Sequence, residues 1–390
     1  MKAVICGAGI AGLALAQRLD DMGWQVVVLE RASRPRGQGY MVDFFGPGFD
    51  AAEAMDLLPR LRELSYRVGE ASYVDERGRR RAGLDYGRFS RVVGGRLLSI
   101  MRPDLERALR EGLSDRGDLR YGTGPERIED TADGVRVTLV DGTVEHADLL
   151  VGADGVHSTV RRLVFGEEDR YLRHLGFHTA AFVFDDPGLL REVSGRFCLT
   201  DTVGRQMGFY ALRDGKVAAF AVHRSADRRL PADARAAVRA EYAGLGWIVP
   251  RALEKCPPHE DVYYDHVAQI VMDGWSRGRT VLTGDAAHAV SLLAGQGASL
   301  GVAGAYVLAE ELGRSASVEE GLAAYERRWR PVAEDRQRAG RAAAEWFLPS
   351  SPTRLRVRRM AMRLTAVPGV DRLVARSLSG KPSVLAAQRP

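Results

Sequence analysis

The first thirty residues leave this chain few choices of fold. Val4-Ile5-Cys6 is a short apolar run, followed by Gly7-Ala8-Gly9-Ile10-Ala11-Gly12. Leu13-Ala14-Leu15-Ala16 then continues as a helix, and Val26-Val27-Val28-Leu29 ends on Glu30. The order is strand, glycine turn, helix, strand, acid. Gly7 permits the tight exit from the strand. Gly9 removes a side chain where backbone must approach a pyrophosphate. Gly12 lets the helix lie close on the sheet. The helix N-terminus offers N–H groups and a favourable dipole to an anion. Glu30 stands at the spacing where a carboxylate accepts hydrogen bonds from a ribose hydroxyl. The stretch predicts an α/β fold with a Rossmann-like core and a bound adenine dinucleotide, without deciding between NAD and FAD.

Composition narrows the class. A chain of 390 residues, 45% hydrophobic and 27% charged, has room for two or three structural units with a substantial core. No apolar run approaches the ~18 residues that a membrane span requires. The first strand begins by residue 3, which leaves no space for a leader, so a cytoplasmic protein is expected. Cys6, Cys198 and Cys256 are scattered without metal-ligand spacing and fit a reducing compartment. The net charge of +5 is uneven. Residues 351–390 carry nine basic side chains against one acid, and their +8 leaves −3 for the rest. The basic balance therefore belongs to the tail, and no nucleic-acid partner is expected. Residues 353–378 set arginines beside Leu355, Met360, Met362 and Leu364, which predicts a basic amphipathic helix packed on the body near the substrate entrance. Binding to an anionic membrane surface is its rival reading.

Along the chain, Tyr40 to Phe44 alternates like a strand, and residues 66–98 read as short strands and turns. Pro103 suits the first turn of a helix. Asp141-Gly142 between two apolar alternations signals a hairpin. Asp148-Leu149-Leu150-Val151-Gly152 has the continuous apolar character of a parallel-sheet strand. From about 176 to 270 strand-like segments follow one another, with no helical run until 232–244. This reads as a mostly antiparallel sheet inserted into the first unit. Helices are expected over 300–312 and 318–347. The division is therefore 1–70, 99–175 and 271–345 for a discontinuous dinucleotide-binding domain, 71–98 and 176–270 for a substrate-binding sheet domain, and 346–390 for a C-terminal helical segment.

Two further constellations decide the cofactor. Gly152-Ala153-Asp154-Gly155-Val156-His157-Ser158 is a second strand-to-turn-to-helix element, and Gly284-Asp285-Ala286-Ala287-His288 precedes Gly295-Gln296-Gly297. Together with the first turn, these motifs resemble the class A FAD-dependent aromatic hydroxylases of the para-hydroxybenzoate hydroxylase type. Within them the chain is most similar to the monooxygenases of tetracyclines and aromatic polyketides. The resemblance spans residues 1 to about 345.

It implies non-covalent FAD, with NADPH as electron donor and O₂ and a small molecule as substrates. Gly7, Gly9, Ala11, Gly12 and Glu30 would hold the ADP half, with Arg31 and Arg36 in the following loop and Arg102 also against the cofactor. Gly152, Asp154 and Gly155 would support the pyrophosphate, and Gly284 and Asp285 the ribityl chain. Gly295, Gln296 and Gly297 would lie beside the isoalloxazine ring. The family commonly places proline where this chain has Leu292 after Ser291, which predicts a looser loop at the ring. His288 reads as a packing ring. A flavin C4a-hydroperoxide would transfer one oxygen atom, so no protein nucleophile and no metal is required.

The substrate is expected between the flavin and the inserted sheet. Met207, Phe209, Phe220 and Val222 would form an apolar lining, Arg213 and His223 would be its polar members, and Leu292 would lie at the loop. A role in antibiotic biosynthesis or modification follows from the resemblance, in a monomer or homodimer. The alternatives are a FAD-dependent reductase or desaturase of an isoprenoid-like substrate, a Baeyer–Villiger outcome from the same peroxide, and a flavin halogenase. The halogenase is disfavoured because Trp247-Ile248-Val249-Pro250 is not its W-x-W-x-I-P segment and the four lysines are badly placed.

Overall fold

The computed structural model describes residues 1–35, 37, 39–114, 117–131, 133–291 and 295–364, without the side chains of 344, 345, 363 and 364. Its centre is a six-stranded sheet. The order across it is Ser276–Arg277, Thr280–Leu282, Leu149–Gly152, Lys2–Cys6, Gln25–Glu30, Asp118–Tyr121. All neighbours are parallel except the first pair. The four inner strands are mostly buried on both faces, as their continuous apolar runs require, while the two edge strands are polar and partly exposed. Helix Ile10–Asp21 packs against Gly297–Arg314, and that helix packs against Val318–Phe347. Trp329 is fully buried, with its indole against the Cα of Gly304.

The glycines of the first turn are required by backbone contact. A Cβ on Gly12 would meet the Gly7 carbonyl oxygen at 1.9 Å, and one on Gly7, at φ +109, would meet the Ala153 carbonyl oxygen at 2.5 Å. Neither neighbour can rotate away, so any larger residue would push the helix off the sheet.

The second large sheet has seven strands. Its order is Tyr263–Ile270, Leu172–Phe184, Val217–Arg224, Arg205–Ala211, Arg196–Thr200, Glu70–Val74, Arg80–Asp85. Its strands therefore come from two separated stretches of chain, and its pairs are antiparallel except Arg196–Thr200 with Glu70–Val74. Helices Pro187–Val193, Ala234–Tyr242 and Val249–Glu254 cover one face with an apolar cluster that includes Phe182, Val238 and Val249. The other face meets the ribbon of Met41–Phe45 paired with Leu97–Met101, where Met41 N–H donates to the Tyr210 hydroxyl at 2.7 Å.

Two helices lie where strands and turns alone are expected from the sequence. Tyr86–Val92 starts where the Asp85 carboxylate accepts from Arg88 N–H. Pro187–Val193 starts where Asp186 accepts from Gly188 and Leu189 N–H, with Pro187 in its first turn. A hairpin does join Gly134–Leu139 to Val144–Ala147 around Asp141-Gly142. The tail begins as helix Pro352–Leu364. Its Arg358 is buried, bonded to Asp201 Oδ1 at 2.7 Å and to the Phe347 carbonyl, with its guanidinium over the Tyr73 ring. The part of the expected tail helix beyond residue 364 lies outside the described residues. Among the described residues, no helix is long and apolar enough to cross a membrane.

Candidate functional site

The three glycine-bearing motifs leave three neighbouring strands of one sheet. Thr280–Leu282, Leu149–Gly152 and Lys2–Cys6 lie side by side and parallel, so the turns after them open along one carboxyl edge. That edge, where the chain turns to opposite sides of the first strand, is where open α/β sheets take ligands. The turns are bonded to one another. Ala153 N–H donates to Cys6 C=O at 2.8 Å and Thr283 N–H to Gly152 C=O at 2.9 Å. Gly284, at φ +61, sits so close to Ala11 that a Cβ would come within 2.6 Å of the Ala11 methyl.

Glu30 spans the first turn. Its two carboxylate oxygens accept from Ala8 N–H and Ala32 N–H, both at 2.9 Å, and each oxygen keeps lone-pair capacity for a further donor. Helix Ile10–Asp21 has Gly9 as its N-cap and no side-chain cap. A Cβ on Gly9 would find nothing closer than Glu106 Oε1 at 3.9 Å. The cradle is thus open above Gly9 and closed below Gly7 and Gly12, which fits a dinucleotide phosphate laid across the helix start.

Asp154 is committed to its own turn. Ser158 Oγ donates to it at 2.5 Å, and Thr159 and Val160 N–H donate at 2.7 and 3.1 Å. Burial raises its pKa, and these donors oppose the rise. Arg161, fully buried, ties this turn to the third motif through the carbonyls of Val156 at 2.6 Å and Ala286 at 3.0 Å. Its role is not visible in the sequence, because Ala286 is 125 residues away.

Against this edge stands a group of polar and aromatic side chains. Tyr40 lies between Phe220 and Tyr263, with ring centroids 5.5 and 5.7 Å away. Arg102, beside Tyr40, forms an ion pair with Glu106 at 3.1 Å. Burial pushes the Tyr40 hydroxyl up to about 12, with the Arg102 guanidinium holding it back. Burial also raises Tyr263, strongly, and raises Asp285, which Arg102 restrains while Asp265 adds to it. Both phenols are therefore neutral donors at neutral pH. Arg102 and Asp285 were expected from the sequence. Tyr40, Tyr263 and Asp265 were not, although Tyr263-Tyr264-Asp265-His266 is a conspicuous run.

Sheet register corrects the expected substrate lining. Met207 pairs with Ala221 and Phe209 with Ala219, so these residues share the helix-covered face. Phe220 and Val222 point the other way. Met207 and Phe209 pack in the cluster beneath the helices. His223 faces the same helices, its Nδ1 3.0 Å from the Tyr242 hydroxyl. Phe220 joins Tyr40, whereas Val222 packs with Phe177, Val267 and Leu348. Arg213 is exposed, over the Tyr66 ring and bonded to the Ser65 carbonyl. Arg31 is exposed beside the Glu30 turn. Gly295, at φ +63, and Gln296 precede helix Gly297–Arg314, and Asp285 Oδ1 lies 3.9 Å from where a Gly297 Cβ would stand. His288 packs between Trp275 and Trp329. Arg36 and Leu292 lie outside the described residues.

Comparison with known proteins bears on the family and the fold. The FAD binding domain family matches residues 1–339. An uncharacterized protein of Mycobacterium tuberculosis is 35% identical over 321 residues, covering 79% of this chain and 84% of that protein. A flavin-dependent monooxygenase from an unknown prokaryotic organism is 30% identical, covering 90% and 91%. The crystal structure of the tetracycline destructase Tet(55) superposes with a TM-score of 0.82 at 27% identity, over 98% of each chain.

Proposed function

The chain belongs to the FAD binding domain family and is a FAD-dependent monooxygenase, and from that premise we propose that it oxygenates an electron-rich aromatic or polyketide-like small molecule with NADPH as reductant. In the overall reaction one atom of O₂ enters the substrate, and the other leaves as water with two electrons from NADPH and one added proton. The observation that carries the reading is the convergence of three motifs on one sheet edge facing the Tyr40, Phe220 and Tyr263 rings. The resemblance to Tet(55) supports a fused-ring substrate.

When bound, FAD accepts the electrons from the nicotinamide and activates O₂ for transfer to carbon. The protein's contributions are binding and shielding. Gly7, Gly9, Ala11 and Gly12 would take the pyrophosphate on backbone N–H groups, and Glu30 would take a ribose hydroxyl. Gly152, Asp154 and Gly155 hold the neighbouring turn, and Gly284 and Asp285 reach the sugar-alcohol chain. Gly295, Gln296 and Gly297 open a helix whose N-terminal amide N–H groups would favour negative charge on the reduced cofactor. Arg102, beside Tyr40 and Asp285, would add a cation to the site. Tyr40 and Phe220 offer ring faces to a planar substrate, and the neutral Tyr40 and Tyr263 hydroxyls can donate to its oxygens. Helices over the far face of the sheet keep water from its back. The discontinuous domain division read from the sequence is retained as part of the proposal, as is an assembly no larger than a homodimer.

The test is NADPH oxidation against a panel of phenolic and fused-ring polyketides, with mass spectrometry of products. A product heavier by one oxygen atom is expected, with flavin reduction faster when substrate is present. Substrate-independent reduction without oxygenated product would overturn the proposal in favour of a flavin reductase.

A further inference from the structure

Five of the chain's eight histidines form a connected group that runs across the seven-stranded sheet and reaches the second glycine turn at His157. His223, His178 and His266 are direct cross-strand neighbours on three adjacent strands. His174 stands 5.4 Å from His266, ring to ring, and His157 stands 6.0 Å from it. Most of these rings have ordinary partners. His178 binds the Asp227 carbonyl and the Tyr264 hydroxyl, and His223 binds Tyr242.

His266 differs. Its Nε2 donates to the Arg228 carbonyl at 2.6 Å, so in the neutral ring it is Nδ1 that carries the lone pair. That nitrogen is buried without a hydrogen-bond partner, and the side chain is only 9% exposed. It faces Asp265 Oδ1 at 3.9 Å. His157 Nε2 reaches the same oxygen at 3.0 Å, and its Nδ1 is held by Glu168 at 3.0 Å. His157 Nε2, Asp265 and His266 Nδ1 thus converge, with their ligand atoms all within 4.8 Å of one another.

We propose that His157 Nε2, Asp265 Oδ1 and His266 Nδ1 form a binding site for a divalent transition-metal ion of the zinc class. The outer partners support it as strongly as the ligands. A metal-bound imidazole donates its other N–H to a carboxylate or a backbone carbonyl, which fixes the tautomer. Glu168 does this for His157 and the Arg228 carbonyl does it for His266. Tetrahedral zinc with bonds of about 2.0–2.1 Å needs ligand atoms roughly 3.3 Å apart. The 3.0 and 3.9 Å spacings, and a third between the two ring nitrogens of at most 4.8 Å, reach that with changes of up to about 1.5 Å. Two nitrogens and one carboxylate leave the fourth position to water, and His157, about a third exposed, gives the ion a way in.

The site would join two parts of the fold. His157 belongs to the turn that carries Asp154 and Gly155, whereas Asp265 and His266 belong to the edge strand Tyr263–Ile270 of the seven-stranded sheet. A bound ion would therefore clip the cofactor-side turn to the substrate-side sheet, and would stabilise the folded protein by mass action.

The FAD-loaded full chain, dialysed against a chelator, is titrated with Zn²⁺ in competition with a chromophoric chelator. One ion per chain is expected, with a melting temperature that rises with zinc concentration. Asp265→Asn and His266→Ala should each weaken binding at least about tenfold, and Glu168→Gln by roughly tenfold. His223→Gln, whose partner is Tyr242, should leave affinity unchanged. The flavin spectrum of each variant reports whether it is folded. Co²⁺ added to the unmutated protein gives a reading free of folding effects, with the intense visible absorption of four-coordinate cobalt expected. Weak six-coordinate absorption, no stoichiometric zinc, or equal weakening by His223→Gln would overturn the proposal.

Discussion

The two large sheets of this molecule solve different problems with different parts of the chain. The six-stranded sheet makes its edge largely from backbone: Gly7, Gly12 and Gly284 with no room for a Cβ, a first helix start without a side-chain cap, and turns bonded amide to carbonyl. The seven-stranded sheet presents a surface made of side chains, whose direction is decided by strand register. One residue of offset separates Met207, beneath the helices, from the layer that holds Phe220. A family can therefore keep the first edge and vary the second, because changing a side chain on the sheet does not disturb the backbone cradle.

The hardest way to break that comparison is at Gly12. Gly12→Ala puts a Cβ 1.9 Å from the Gly7 carbonyl oxygen, a backbone atom that cannot swing aside. A cost of about 3 kcal/mol and a protein that purifies without flavin are expected. Gly9→Ala has open space in the protein itself. It should keep the melting temperature of the flavin-free protein and lose flavin retention, because the added methyl would face the phosphate. Flavin absorbance and thermal unfolding of the two variants separate the roles. Normal flavin content in Gly12→Ala would contradict the backbone account.

On the second sheet the matching pair is Phe209 and Phe220. Phe209→Ala empties a fully buried site and should cost about 3–5 kcal/mol while leaving kcat/KM of the remaining folded enzyme near normal. Phe220→Ala, half-buried beside Tyr40, should do the reverse. A small change in stability and roughly tenfold lower kcat/KM are expected, about 1.4 kcal/mol of lost transition-state binding. Denaturant midpoints with steady-state rates decide it, and equal kinetic effects at both positions would erase the two-face distinction.

The same division explains what could be read from the sequence. Gly7, Gly9, Gly12 and Glu30 belong to a single local unit of strand, helix and strand, so their spacing alone is enough to read the turn's geometry. Met207, Phe209 and His223 were grouped with Phe220 and Val222 because alternation within each strand is visible, whereas the pairing of one strand with the next is not. The histidine row depends on positions 178, 223 and 266, which only register brings together. The helices after Asp85 and Asp186 were legible in principle, since each has an acid at the cap and Asp186 is followed by proline. Short helices between strands are hidden by a pattern of strand-like neighbours.

The mildest perturbation is acid, which changes no side chain's identity, and it falls on the first sheet's surroundings rather than the second's alone. His288 is buried between Trp275 and Trp329, and its Nε2 has no hydrogen-bond partner. Burial lowers its pKa to about 4. In the unfolded chain the same group titrates near 6.5, so the unfolded state binds a proton first as pH falls. Its contribution to stability is full above about pH 6.5 and is lost as pH drops toward 4. The loss is about 2 kcal/mol at pH 5 and approaches about 3 kcal/mol below pH 4. His223 is shifted the same way, to about 4, by burial beneath the helices of the second sheet. Urea midpoints of FAD-saturated protein at pH 7 and pH 5 measure the sum, and His288→Phe should flatten its own share while keeping the ring against Trp275. An unaltered pH slope in that variant would show that the cofactor side holds no acid-sensitive core histidine, and would leave His223 and the sheet responsible for the whole dependence.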